Sequence, residues 1–242
     1  MLLAVDVGNS RIKFGLYQDR RAIRYFTLPT SDARSDGSLL SAAESIDDGV
    51  SLVRVCSVVP PVNDVISKLA SRLNSAVEFI DHRSPLGIEI EYDPPETLGV
   101  DRLTASAAAY RKYGGPCITC SFGTATTIDA VTADGRFVGG TIAPGLRTMA
   151  EALHLKTAKL PLIEVGEVPS SAIGRSTAEA ISAGVFFSHI GAAEAIISRI
   201  KAEIGDAKVV ATGGFAKITA EHSYIVDAVD ETLILDGLAA MA

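Results

Sequence analysis

Apolar and polar positions alternate in short bursts along this chain. Leu2 to Asp6 is an apolar run ending on a carboxylate, and Gly8-Asn9-Ser10 supplies turn chemistry. Ile12, Phe14 and Leu16 then alternate with Lys13, Gly15 and Tyr17, the period of a strand. Asp19-Arg20-Arg21 is a polar turn and Ala22 to Leu28 a third strand, so the chain opens as an antiparallel meander. Between 30 and 50 the sequence is polar, with Leu39, Leu40 and Ile46 predicted on a short helix. Leu52 to Val58 reads as a strand closed by Pro60-Pro61. Val62, Val65, Ile66, Leu69 and Leu73 fall on one helical face, and Ala76 to Ile80 is another short strand.

The order then recurs. Cys117 to Ser121 is an apolar strand, Phe122-Gly123-Thr124 a turn, and Ala125 to Thr132 a second strand. Asp134-Gly135 favours a hairpin because both positions tolerate positive φ. Arg136 to Ile142 completes a second meander, followed by helical patterns at 146–157 and 176–204 and a strand from Lys208 to Thr212. This shared order predicts an internal duplication, visible in pattern rather than in identity. The halves are expected at 1–108 and 109–242, divided within or just after an Ala-rich helix that Gly114-Gly115 ends.

Charge narrows the partners. The 22 Lys and Arg against 29 Asp and Glu give a net charge of −7, without the basic face a general nucleic-acid binder needs. A basic tract for anionic membranes is missing as well. Asp6 interrupts the only N-terminal apolar run, and no stretch nears the ~18 apolar residues of a spanning helix, so a cytoplasmic protein is expected. The 3 cysteines make no disulfide framework. Cys117 and Cys120, three apart on a strand, point to opposite faces and read as structural thiols. The histidines His82, His154, His189 and His222 lack metal-ligand spacing.

Three glycine-containing polar turns follow apolar strands: Asp6 to Ser10, Ser121 to Thr124, and Ala211 to Ala216 through Thr212-Gly213-Gly214. Each alone is an ordinary tight turn. Together they offer small residues whose amides can approach an anion, with hydroxyls as further donors. A carboxylate at the first turn repels phosphate unless a divalent cation lies between, so Asp6 suggests a magnesium-nucleotide site. Lys13 could neutralise a phosphate, although it also reads as a solvated lysine. No Walker-type loop occurs.

These turns, with Ser57-Val58-Val59-Pro60, Gly99-Val100-Asp101-Arg102, Gly123 to Asp129, Gly139 to Gly145, Thr157 to Pro161 and Gly174-Arg175-Ser176-Thr177, resemble the ordered motifs of type III pantothenate kinases. That family, which includes Bvg accessory factor proteins, lies in the sugar kinase, actin and Hsp70 superfamily. The resemblance implies an α/β fold of two similar ribonuclease H-like (actin-like ATPase) domains. Each would be a mixed sheet that opens with an antiparallel meander and is flanked by helices. It implies phosphorylation of pantothenate by ATP to 4′-phosphopantothenate, the first committed step of coenzyme A synthesis, by a homodimer with substrate sites near the subunit interface.

Carried over by matching motif, Asp6, Val7, Gly8, Asn9, Ser10, Arg11, Ile12 and Lys13 form the ATP phosphate loop, with Mg2+ at Asp6. Gly123, Thr124, Gly213 and Gly214 complete the nucleotide contacts. Gly99, Val100, Asp101 and Arg102 form the pantothenate motif, in which Asp101 accepts the hydroxyl proton and Arg102 binds the acid. Tyr92 and Thr177 contact the substrate. By themselves, Asp101-Arg102 would pass for an acid favoured by a helix N-terminus. Tyr92 would pass for a loop tyrosine on prolines, and Ser176 or Thr177 for a helix cap.

One position departs from the pattern. The family usually carries aspartate, associated with K+ or NH4+, where this chain has Ser121. A neutral hydroxyl is a weak cation ligand and cannot balance the charge. Three consequences stay open: turnover without a monovalent cation, substitution by Asp129 eight residues on, or nucleotide binding without turnover. The last would make the chain a nucleotide-binding regulatory protein, the alternative to a kinase.

Overall fold

The computed structural model describes residues 1–34, 46 and 49–241. Leu39 and Leu40 of the predicted short helix lie outside the described residues, and Ile46 is buried in the first core. The chain forms two compact units, Met1–Arg111 with Thr232–Ala242, and Lys112–Glu231.

The first unit contains β1 (Leu2–Val7), β2 (Arg11–Gln18), β3 (Arg21–Pro29), β4 (Leu52–Ser57), α1 (Pro60–Arg72), β5 (Ala76–Phe79), the short β6 (Glu89–Ile90) and most of α2 (Val100–Tyr113). Its sheet is ordered β3-β2-β1-β4-β5. β1, β2 and β3 are antiparallel, while β4 and β5 add in parallel. The meander's alternation is what buries one face. Ile12, Phe14 and Leu16 pack in the core, and Phe14 stacks on its register partner Phe26 with ring centroids 4.5 Å apart. Pro60 sits in the first turn of α1, where its missing N–H costs no hydrogen bond, so it starts the helix as well as ending the strand.

The second unit contains β7 (Cys117–Phe122), β8 (Ala125–Val131), β9 (Arg136–Pro144), α3 (Leu146–Lys156), α4 (Thr177–Ile204), β10 (Lys208–Thr212), α5 (Ala216–Glu221) and β11 (Ala228–Val229). The second sheet has six strands, and five of them, β9-β8-β7-β10-β11, repeat the order of the first sheet, with one short strand, β6, added beyond β9. Again the first three are antiparallel and the last two join in parallel. This repeat of order is the one the sequence pattern predicts. The three cysteines are free and buried, and burial pushes the Cys117 thiol up to about 12. α4 is long and apolar enough to cross a membrane by length and composition. Ile181, Val185, Phe186, Ile190 and Ile197 are nevertheless buried inside its own unit.

One helix lies elsewhere than the division at 108/109 implies. α6 (Leu233–Ala240) packs on β1, β2 and β4 and groups with the first unit. Its attachment is polar as well as apolar. Asp236 accepts hydrogen bonds from Tyr17 (2.6 Å), Tyr25 (2.9 Å) and Thr232 (2.8 Å). Arg54, buried on β4, donates to the carbonyls of Leu238 (2.8 Å) and Met241 (3.2 Å) while pairing with Glu78. Gly237 admits Ala108 so closely that a Cβ would lie 2.6 Å from the alanine methyl. A buried guanidinium must find acceptors, and here the returning chain end supplies two.

Candidate active site

In the first unit, the β1–β2 hairpin turns through Gly8-Asn9-Ser10, closed by the Gly8 amide donating to the Arg11 carbonyl (3.0 Å). Antiparallel register sets Asp6 opposite Lys13, and parallel register sets Asp6 beside Cys56. Directly opposed residues share a face, so carboxylate and ammonium lie on the same side of the sheet at the base of the turn. Burial pushes the Asp6 carboxyl up to about 6, Lys13 pulls it back, and the charge of Asp101 pushes it up again. Burial also raises the Cys56 thiol, reinforced by Asp6 and Asp101, so it stays protonated as a structural neighbour.

Asp101 and Arg102 sit in the first turn of α2, with Leu103 donating to the Gly99 carbonyl (3.2 Å) as the first helical bond. The Asp101 carboxylate folds back and accepts from the Arg102 amide (2.9 Å). Gly99 makes this arrangement fit, since a Cβ there would lie 2.7 Å from Asp101 Oδ1. Arg102 is 7% exposed, and its Cζ lies 5.8 Å from the Tyr92 ring centroid. The aromatic face therefore orients the guanidinium. Read as a helix start, the Asp101 geometry is accurate too: the carboxylate does bond the helix N-terminus. The two readings describe one arrangement, because a helix N-terminus is a good place to hold a carboxylate near other anions. Tyr92, Gly99, Val100, Asp101 and Arg102 are thus brought together.

In the second unit, Gly123 donates to the Ala125 carbonyl (3.0 Å), repeating the closure of the first turn. The Thr124 carbonyl accepts from the Gly145 amide (3.0 Å) and the Thr148 hydroxyl (2.6 Å). A Cβ on Gly145 would lie 2.1 Å from the Gly123 carbonyl oxygen. The Thr212-Gly213-Gly214 turn folds onto the same strand end. Phe215 donates to the Phe122 carbonyl (3.0 Å), and Gly213, at φ +95, leaves no room for a Cβ beside that carbonyl. Gly123, Thr124, Gly213 and Gly214 therefore form one constellation. Thr148 carries no sequence signal beyond its place two residues into a helical pattern. Its role follows only from α3 starting beside Thr124.

Thr177 is the first residue of α4, exposed, and the cap is made by Ser176, which accepts from the Glu179 amide (3.2 Å). Glu179 in turn accepts from the Arg175 amide (2.7 Å), so this acid stabilises the chain entering the helix. Gly174 is pressed against this first turn, where a Cβ would lie 2.2 Å from the Ala180 amide.

Ser121 lies in register with Thr212 on one side and Thr127 on the other, so its row holds hydroxyls and no carboxylate. Asp129 is one rung along, opposite Thr119 and Gly140. It is 1% exposed and directed at Gly140, where a Cβ would lie 2.6 Å from its Oδ1. Asp129 is thus a diagonal neighbour of Ser121, at the ~7–8 Å spacing of such a ladder, and not in its row. Among the described residues, no group of three or more His, Cys, Asp or Glu is placed to hold a metal ion.

Two meander-led sheets that share a five-strand order, with glycine turns at equivalent strand ends, define the fold shared by sugar kinases, actin and Hsp70. Residues 2–199 match the sequence model of type III pantothenate kinase. The chain is 37% identical to the type III pantothenate kinase of Exiguobacterium sibiricum, covering 98% of this chain and 97% of that one. Among solved structures, a Baf family protein from Campylobacter jejuni superposes with a TM-score of 0.60 at 22% identity, covering 98% of this chain and 94% of that one. The inorganic polyphosphate/ATP-glucomannokinase of Arthrobacter sp. strain KM does so with 0.50 at 16% identity, covering 98% and 96%. The chain belongs to the type III pantothenate kinase family and is a phosphotransferase.

Proposed function

We propose that this protein transfers the γ-phosphoryl group of ATP to the primary hydroxyl of pantothenate. The products are 4′-phosphopantothenate and ADP, and the reaction opens coenzyme A synthesis. The observation that carries the reading is the Gly99–Arg102 corner, a carboxylate and a tyrosine-backed guanidinium on consecutive residues of one helix start. Phosphoryl transfer asks the protein for positioning and charge neutralisation. Asp101 takes the hydroxyl proton, Arg102 holds the pantothenate carboxylate, and Tyr92 fixes the guanidinium while contacting substrate. Thr177 contributes a further substrate contact from the start of α4. Val7 to Ile12 and Lys13 receive the phosphates; Gly123, Thr124, Gly213 and Gly214 receive the rest of the nucleotide.

Asp6 suits a magnesium ion brought in by ATP. Mg2+ keeps several waters and takes one or two protein carboxylates plus substrate phosphates, so a lone carboxylate is an adequate donor set. The upward push of the Asp101 charge on the Asp6 carboxyl marks a site that favours added positive charge. When bound, the ion would neutralise developing phosphate charge. Two anionic substrates can thus enter an acidic protein, because local cations outweigh the net charge of −7.

The residues at the monovalent-cation position do not fit that ion. Ser121 is flanked by hydroxyls, and Asp129 is buried against Gly140. Turnover without K+ or NH4+ follows, and no step is assigned to either. We further read the protein as a cytoplasmic homodimer without nucleic-acid or membrane partners. The apolar Leu153, Leu155 and Phe187, all exposed on α3 and α4, are consistent with a second copy packing there. The alternative of a regulatory protein without turnover is disfavoured by the family match and by the intact Asp6, Asp101 and Arg102.

A coupled ADP-release assay with pantothenate and a sugar panel, with and without K+ or NH4+ at constant ionic strength, tests the reading. Pantothenate-dependent ADP in every salt is expected, and its absence in all of them overturns the proposal. Ser121→Asp sharpens the cation question. The substitution restores a carboxylate beside Thr127 and Thr212 and is expected to create activation by K+ or NH4+. An unchanged salt response would remove this account of the site.

A further inference from the structure

Thr30 follows β3 and is 2% exposed, with both of its polar backbone-facing groups used on the first phosphate turn. Its hydroxyl donates to the Gly8 carbonyl (2.7 Å), and its amide donates to the Ser10 carbonyl (3.1 Å). A trans peptide is planar, with its C=O and the following N–H pointing opposite ways. Holding the Gly8 carbonyl toward Thr30 therefore turns the Asn9 amide away from it. Holding the Ser10 carbonyl does the same for the Arg11 amide. Asn9 and Arg11 are exposed residues of this turn, on the side an anion can approach.

We propose that Thr30 is a positioning residue for the phosphate-binding turn, setting the direction of the Asn9 and Arg11 amides through the carbonyls of Gly8 and Ser10. The inference rests on reading Gly8 to Lys13 as the ATP loop. Removing the hydroxyl leaves the Gly8 carbonyl without this donor and lets its peptide plane rotate. A mispointed amide weakens phosphate binding before it weakens anything at the pantothenate corner.

The test compares Thr30→Val, which keeps shape and amide but loses the hydroxyl, with Thr30→Ser, which keeps the hydroxyl. Steady-state kinetics give KM for ATP and for pantothenate, and calorimetric titration with Mg-ADP alone gives nucleotide affinity below the melting range. The valine variant is expected to raise KM for ATP and Kd for ADP about tenfold, the effect of one buried hydrogen bond to a turn, with KM for pantothenate within about twofold. The serine variant should return both nucleotide values to within about threefold of the parent. Unchanged ADP affinity in a folded valine variant overturns the proposal. So does an equal rise in both KM values, or a serine variant as impaired as valine. If the valine variant proves insoluble, Thr30→Ala gives the same readout without an added apolar branch. Absence of pantothenate turnover in the parent would defeat the kinase reading, while the ADP titrations would still decide the role of Thr30.

Discussion

Asp101→Asn is expected to lower kcat about 10²–10⁴-fold, the range for loss of a positioned general base, with Kd for ATP changed less than about threefold. Asparagine has nearly the shape of aspartate, so it still fits over Gly99 and its carbonyl oxygen can still accept from the Arg102 amide. Only the charge and the basicity disappear. Two side effects run the other way. The lost charge relieves the Asp6 carboxyl, which Asp101 now pushes upward. It also removes a repulsion acting on anionic pantothenate. KM for pantothenate should therefore hold or fall while kcat collapses, a split that misfolding would not produce. Retention of more than a tenth of parental kcat would take the base role away from Asp101.

Asp6→Asn is expected to move stability and activity in opposite directions. The folded-state carboxyl titrates near 6 against an ordinary value of 3.8, chiefly because burial disfavours its charged form. A raised carboxyl supports the fold below the unfolded value, and that support is lost as pH rises through about 6. At pH 8 the ionised side chain thus burdens the nucleotide-free protein by about 1–2 kcal/mol, discounted for its partial exposure. Asparagine should raise Tm by a few degrees at pH 8, and the difference should shrink towards pH 4. Magnesium-dependent turnover should fall at least about a hundredfold, because the neutral amide neither balances the ion nor competes for it. The lost Asp6 charge also removes its attraction to Lys13, which trims the stability gain without changing its sign. A lower Tm at pH 8, or turnover within tenfold of the parent, would contradict this account of Asp6.

Much of the fold is legible in local pattern. The period-2 alternation at Ile12, Phe14 and Leu16 survives as a buried strand face, and the repeated strand–turn–strand order survives as one sheet order in both units. Glycine positions were legible for a similar reason. Gly99, Gly145 and Gly213 occur where a Cβ would strike a neighbour, and a close approach constrains the residue itself. Asp101 and Tyr92 are different, because each has a sound local explanation as a helix-start acid or a loop aromatic. Only the ordered set of motifs raised them above it.

The sequence by itself determined the elements, their two-fold recurrence, the turn glycines and the family. These depend on periodicity, on backbone freedom and on residue order, which are properties of the chain read in line. The tertiary structure alone decided which groups face each other. Ladder register set Asp129 diagonal to Ser121, two residues past its partner Thr127, and buried it against Gly140. Buried Arg54 and the Tyr17, Tyr25 and Asp236 network drew α6 back to the first unit, across more than a hundred intervening residues. Thr30 came to hold a turn twenty residues earlier in the chain. Such pairings satisfy buried donors and acceptors wherever the fold brings them together, and no local period records that.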